Sequence, residues 1–161
     1  MKTDAIALIE ILRSEKESYQ ELLDLSKREQ QQIINRDVEN LISTVKAMEK
    51  LMLTVRDLEK KRLVLVNADS GQGSPHTPPE LSSIAKYLNE PLAKEASELK
   101  DELLLLIKDL GKTNQTNAEL LKRSLGYIDF LLGAIAPEEN PVYSNKPGSQ
   151  GSTIRLFDGR A

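Results

Sequence analysis

Apolar residues recur along this chain in steps of three and four, the spacing of an amphipathic helix, in three long stretches. The last stretch is the longest. From Asn89 to Ala136 the period runs through Leu92, Ala96, Leu99, Leu103, Leu106, Leu110, Leu120, Leu121, Ile128, Leu131 and Ile135. Asn89 suits an N-cap, Pro91 sits in the first turn where its missing N–H costs nothing, and Glu95 and Glu98 lie toward the positive end of the helix dipole. Pro137 stops the pattern. Gly111, Gly126 and Gly133 each cost about 1 kcal/mol relative to Ala inside a helix, which weakens the period without breaking it. Such a helix is roughly 70 Å long and does not persist in water unless something covers its apolar face.

The first stretch is capped by Thr3 or Asp4 and runs to about Asn35, with Ala5, Ile9, Leu12, Tyr19, Leu23, Ile33 and Ile34 on one side. Lys16, Ser26 and Gln30 interrupt this seam. The pattern restarts after Asn35-Arg36-Asp37: Asp37 is a good N-cap, and Val38, Leu41, Val45, Met48, Met52, Val55 and Val66 form a second seam. No Gly or Pro forces a reversal there. A tight turn is nevertheless favoured over a continuous helix of about 95 Å, whose apolar face would need a second chain. The second helix fades at Val66-Asn67, and residues 67–79 read as a loop of Asn, Ser, Gly, Pro and Thr. Glu80 to Leu88 then carries Leu81, Ile84, Ala85 and Leu88 at the spacing of a short helix.

The expected fold is all-α: an elongated antiparallel bundle of three long helices plus one short helix over residues 1–136, followed by a disordered tail over 137–161. The tail is too polar to offset its ordering entropy, apart from Ile154, Leu156 and Phe157. Two helices of about 45 Å cannot cover a third of about 70 Å, so roughly fifteen residues of the third are expected to overhang. They include Leu120, Leu121, Leu125, Tyr127, Ile128, Leu131, Leu132 and Ile135. Burial of each such side chain is worth on the order of 1.5 to 3 kcal/mol. The cover is a second copy, the tail, or a client helix laid on the exposed face.

Composition narrows the function. Acidic and basic residues are interspersed and the net charge is −3, which argues against nucleic acid as a main partner. With no cysteine there is neither a disulfide framework nor a thiolate nucleophile or metal ligand. The apolar run Ala5–Leu12 is broken by Glu10, so it is neither a signal peptide nor a membrane span. The lone histidine, His76, lies in the Gly/Ser/Pro loop and reads as a solvated residue. No Glu-x-x-His repeat, serine elbow or phosphate loop is present, so neither an enzyme nor a cofactor is expected.

The polar run Lys112 to Asn117 stands apart, since Asn and Thr are mediocre helix formers placed here in mid-helix. Asn114, Asn117 and Leu121 share one side. Two readings remain open: a polar layer that fixes bundle register, or amides that hydrogen-bond a client.

These residues bring a resemblance with them. Ile33-Ile34-Asn35-Arg36-Asp37-Val38-Glu39-Asn40-Leu41, then Lys46, Leu51 and Leu58-Glu59-Lys60-Lys61-Arg62, then Asn114 to Leu121 followed by Gly126-Tyr127, resemble the FlgN family of flagellar export chaperones. The terminal Leu156 to Ala161 looks like the tail of Gram-positive members. The resemblance implies a cytoplasmic chaperone that binds the C-terminal helical segments of the hook–filament junction proteins FlgK and FlgL, keeps them unassembled, and aids delivery to an export-gate component. By analogy the client surface is the C-terminal half of the long helix, Asn117 to Ile135. With the polar run included, the candidate site is Asn114, Asn117, Leu120, Leu121, Leu125, Tyr127, Ile128, Leu131, Leu132 and Ile135. The competing reading is a structural coiled-coil protein whose long helix is covered by self-association into a homodimer, without a client.

Overall fold

A computed structural model describes residues 2–70 and 88–135, and those residues are helical except at Arg36-Asp37 and Leu88-Asn89. The helices are α1 (Lys2–Asn35), α2 (Val38–Ser70) and α3 (Glu90–Ile135). The all-α class is as expected. The short helix expected over Glu80–Leu88 lies outside the described residues except for Leu88, which is a bend that packs against the core. His76, the tail and the domain boundary expected at 136/137 also lie outside them. α2 runs past its expected end at Val66-Asn67 to Ser70, because no Gly or Pro occurs before Gly71. Two compact units are distinguished, Met1–Leu125 and Gly126–Ala161.

In the first unit α1 and α2 form a hairpin, and the reversal is made without glycine. Arg36 takes the left-handed conformation with φ 57°. The Arg36 N–H donates to Ile33 O at 3.2 Å and the Asp37 N–H to Gln32 O at 2.9 Å, the paired bonds of a Schellman stop. Asp37 also starts α2: its Oδ1 accepts from the Asn40 N–H at 3.3 Å, and its carbonyl from the Leu41 N–H at 3.0 Å. α3 then runs parallel to α1. Ion pairs join Arg13 to Glu95 and Lys16 to Glu102, and further along Ser26 and Glu29 meet Asn114 and Asn117. All three helices meet in a core of Leu8, Ile9 and Leu12 from α1, Val66 from α2, and Ala96, Leu99 and Leu103 from α3.

The buried rows differ in part from the expected seams. α1 packs against both neighbours, so Leu8, Leu22 and Leu25 are buried in addition to Ile9, Leu12, Leu23 and Ile33. Ile34, beside the turn, is exposed, and Ser26, an interruption by sequence, is fully buried. On α2 the buried row is Thr44, Val55 and Val66, spaced about three turns apart. Val38 and Met52, expected in the seam, lie about 100° and 60° off that row and are exposed.

Between α1 and α2 sits a charged clasp. Arg62 Nε donates to the buried Glu15 Oε1 at 2.9 Å, and the Tyr19 hydroxyl donates to Glu59 Oε1 at 3.0 Å. Burial raises the Tyr19 pKa, and the Glu59 carboxylate raises it further. Burial also raises Glu15 above its ordinary 4.5, only partly offset by the hydrogen bond and charge of Arg62. The folded protein therefore holds the Glu15 proton more tightly than the unfolded chain does. The resulting stabilisation is complete below about pH 4.5 and is lost as pH rises through the raised value. Denaturant melts of the wild type and Glu15→Gln isolate this group. The stability difference, wild type minus variant, is expected to grow as pH falls from 7 to 4.5. A flat difference would contradict the assignment.

Candidate binding face

The row of α3 that faces α1 is read by adding helical steps to its buried core. Ala96, Leu99 and Leu103 are buried, Leu106 and Leu110 half-buried, and Asn117 is again buried at 3% exposure. Asn117 Nδ2 donates to Ser26 O and to Glu29 Oε2, each at 2.8 Å. The Ser26 hydroxyl donates to Asn114 Oδ1 at 2.7 Å. Of the two readings open for these amides, the structure engages both residues with α1. Asn117 Oδ1 is buried and has no partner among the described residues. Where Leu packed on Leu would tolerate sliding by a turn, this layer does not, because a slip takes these partners from the buried Ser26 and Asn117 and the half-buried Glu29.

The parallel register brings Asn35, the last residue of α1, level with roughly residue 123 of α3. In the first unit Leu120, Leu121 and Ser124 are accordingly half-buried, while Leu125 is 61% exposed. In the second unit every residue from Gly126 to Ile135 is exposed, including Tyr127, Ile128, Leu131, Leu132 and Ile135. Within this unit Ile128, Leu131 and Ile135 form one row by helical period. Ile128 is 49% and Ile135 75% exposed. Asp129 is the only charged residue between Leu125 and Ile135.

Sequence reasoning missed Phe130, which is 71% exposed on the far side of the helix from this row. It was legible only as an aromatic off the expected seam. The structure thus separates the ten candidates: Asn114 and Asn117 bind α1, Leu120 and Leu121 flank that contact, and the six from Leu125 onward present their side chains to solvent.

Chemistry of other kinds has little support. Among the described residues no group of His, Cys, Asp and Glu is placed to hold a metal ion, and no helix is long and apolar enough to cross a membrane. A cavity of about 390 Å³ between α1 and α3 is lined by Arg13, Lys16, Glu17, Glu95, Glu98, Leu99 and Glu102, whose charges are largely paired across it.

Replacement of Asn117 by Ala is expected to cost about 1–3 kcal/mol in a urea melt, since it leaves Glu29 and the Ser26 carbonyl without their donor. A loss below about 0.5 kcal/mol would mean that the layer does not hold α3 in place.

Compared with known proteins, residues 1–151 match the family model described as FlgN protein. No curated protein and no solved structure matches the chain.

Proposed function

Since the chain belongs to the FlgN family, a family of flagellar export chaperones, we propose that it is the cytoplasmic chaperone of the hook–filament junction proteins FlgK and FlgL, which it binds through the exposed apolar face at the end of α3. A C-terminal client helix lies along that face, with apolar residues at i, i+3, i+4 and i+7 meeting Leu121, Leu125, Ile128 and Leu132. Leu120, Tyr127, Leu131 and Ile135 flank the contact. Asn114 and Asn117 act from beneath by fixing where α3 sits on α1. The occupied client helix is then unavailable for self-association until it is handed to the export gate.

The observation that carries this reading is the density of exposed apolar side chains at the end of α3, where Tyr127, Ile128, Phe130, Leu131, Leu132 and Ile135 crowd into a few turns of helix. Surface apolar residues scattered singly need no explanation, but a run this dense with a single charge marks an interaction site. A few side chains of this kind, each worth on the order of 1.5 to 3 kcal/mol when buried, are enough to anchor a helix.

Leu125→Asp or Ile128→Asp is expected to weaken the one-to-one complex with FlgK or FlgL by at least about thirty-fold, because a carboxylate then enters an apolar contact. Light scattering of the mixtures reads the complex, and circular dichroism reads the fold, which is expected to keep its helicity. Unchanged binding, or collapse of the fold in both variants, would overturn the placement of the site.

A further inference from the structure

The last turns of α3 are apolar over more of their circumference than one docked helix covers. Within the second unit, Phe130, Tyr127, Leu131, Ile135, Ile128 and Leu132 follow one another around the helix, in that order, over roughly 200°. All six are exposed. The remaining strip holds Asp129, Gly133 and Gly126, and Asp129 is its only charge. A client helix seated on Ile128 and Leu132 occupies one edge of this arc. Tyr127 and Phe130 lie toward the other edge, roughly 100° or more away, and such a client leaves them bare.

Charge indicates what covers the whole arc. Lys122 and Arg123, both exposed, precede it in sequence, and Asp129 is the only other charge between Leu120 and Glu138. A wide arc of aliphatic and aromatic side chains, a narrow strip that can face water, and a basic pair beside it are the features of a helix lying in the surface of an anionic bilayer. From Gly126 to Ile135 the helix measures about 15 Å, half the thickness of the hydrocarbon core, so it is too short to cross and long enough to lie flat.

We propose that the end of α3 is a membrane-surface anchor for anionic phospholipid, with Phe130, Tyr127 and Leu131 sunk to the acyl boundary and Asp129 turned toward water. A bilayer suits this arc better than a protein groove does. Lipid closes around the apolar side chains as far as the strip of Asp129, Gly133 and Gly126, whereas a groove takes one side of a helix. The basic pair supplies attraction to phosphate headgroups, which weakens as salt rises. The contact needs no client. With a client on Ile128 and Leu132 the Phe130 edge still faces outward, so the loaded protein stays at the lipid surface.

Co-sedimentation of the full chain with vesicles, without any client, tests the anchor whether or not FlgK and FlgL are the true clients. Binding to vesicles of phosphatidylglycerol and phosphatidylethanolamine is expected, with weaker binding to phosphatidylcholine alone. Phe130→Asp is expected to weaken it about ten-fold or more, because a carboxylate then enters the acyl boundary. Lys122→Glu combined with Arg123→Glu is expected to weaken it about as much while leaving every apolar side chain in place. The chain has no tryptophan, so Phe130→Trp supplies a single reporter. Its emission is expected to shift to the blue when the anionic vesicles are added, while that of Leu53→Trp, on exposed α2, stays unchanged. No binding to anionic vesicles, binding indifferent to both Phe130→Asp and the charge reversal, or a Phe130→Trp shift that appears with FlgK or FlgL and not with vesicles would overturn the proposal.

Discussion

Asn117 reaches into the contact between α3 and α1 and gives its amide hydrogens to the Ser26 carbonyl and the Glu29 carboxylate, while the Ser26 hydroxyl turns to Asn114. Leucine rows on parallel helices are almost periodic and could slide past one another by a turn or a heptad at modest cost. The polar layer removes that freedom. A seven-residue slip would bring Leu110 or Ser124 to the position of Asn117, and the buried groups on α1 would lose their partners. What α1 covers on α3, and what it leaves bare, is therefore decided by four polar side chains rather than by the apolar contacts around them.

The same register explains why the charged clasp and the apolar core sit where they do. α1 is shared: it presents Leu8, Ile9 and Leu12 to both neighbours at one end, Glu15 and Tyr19 to α2, and Ser26 and Glu29 to α3. Burying Glu15 costs solvation that Arg62 offsets only in part. The apolar side chains on the last turns of α3 are exposed, and propensity alone contributes little to the stability of such a helix.

Much of this architecture was legible in the sequence. The helical period places all three long helices to within a few residues, and the length mismatch between them predicts an uncovered face on the third. Two features were not legible. The left-handed arginine at the reversal is one, since glycine is usual there; the turn itself is announced by Asp37 as an N-cap, by the restart of the apolar pattern and by the poor economy of a sixty-residue helix. The wide buried arc of α1, which takes in Leu22, Leu25 and Ser26, is the other, because a single-seam pattern does not describe a helix that serves two partners. The stretches that carry the family resemblance turn out to be largely scaffold. Asn35-Arg36-Asp37 makes the turn, Glu59 and Arg62 make the clasp, and Asn114 and Asn117 make the polar layer. The exposed apolar residues that follow are recognised by physics more than by motif.

Site-specific photo-crosslinking tests most directly whether the client lies on the end of α3. A photoreactive side chain in place of Ile128 is expected to capture the C-terminal segment of FlgK or FlgL, while the same group in place of Leu53, a somewhat more exposed apolar residue on α2, is expected to capture neither. Capture at Leu53 with none at Ile128 would contradict the account and move the binding surface to the hairpin.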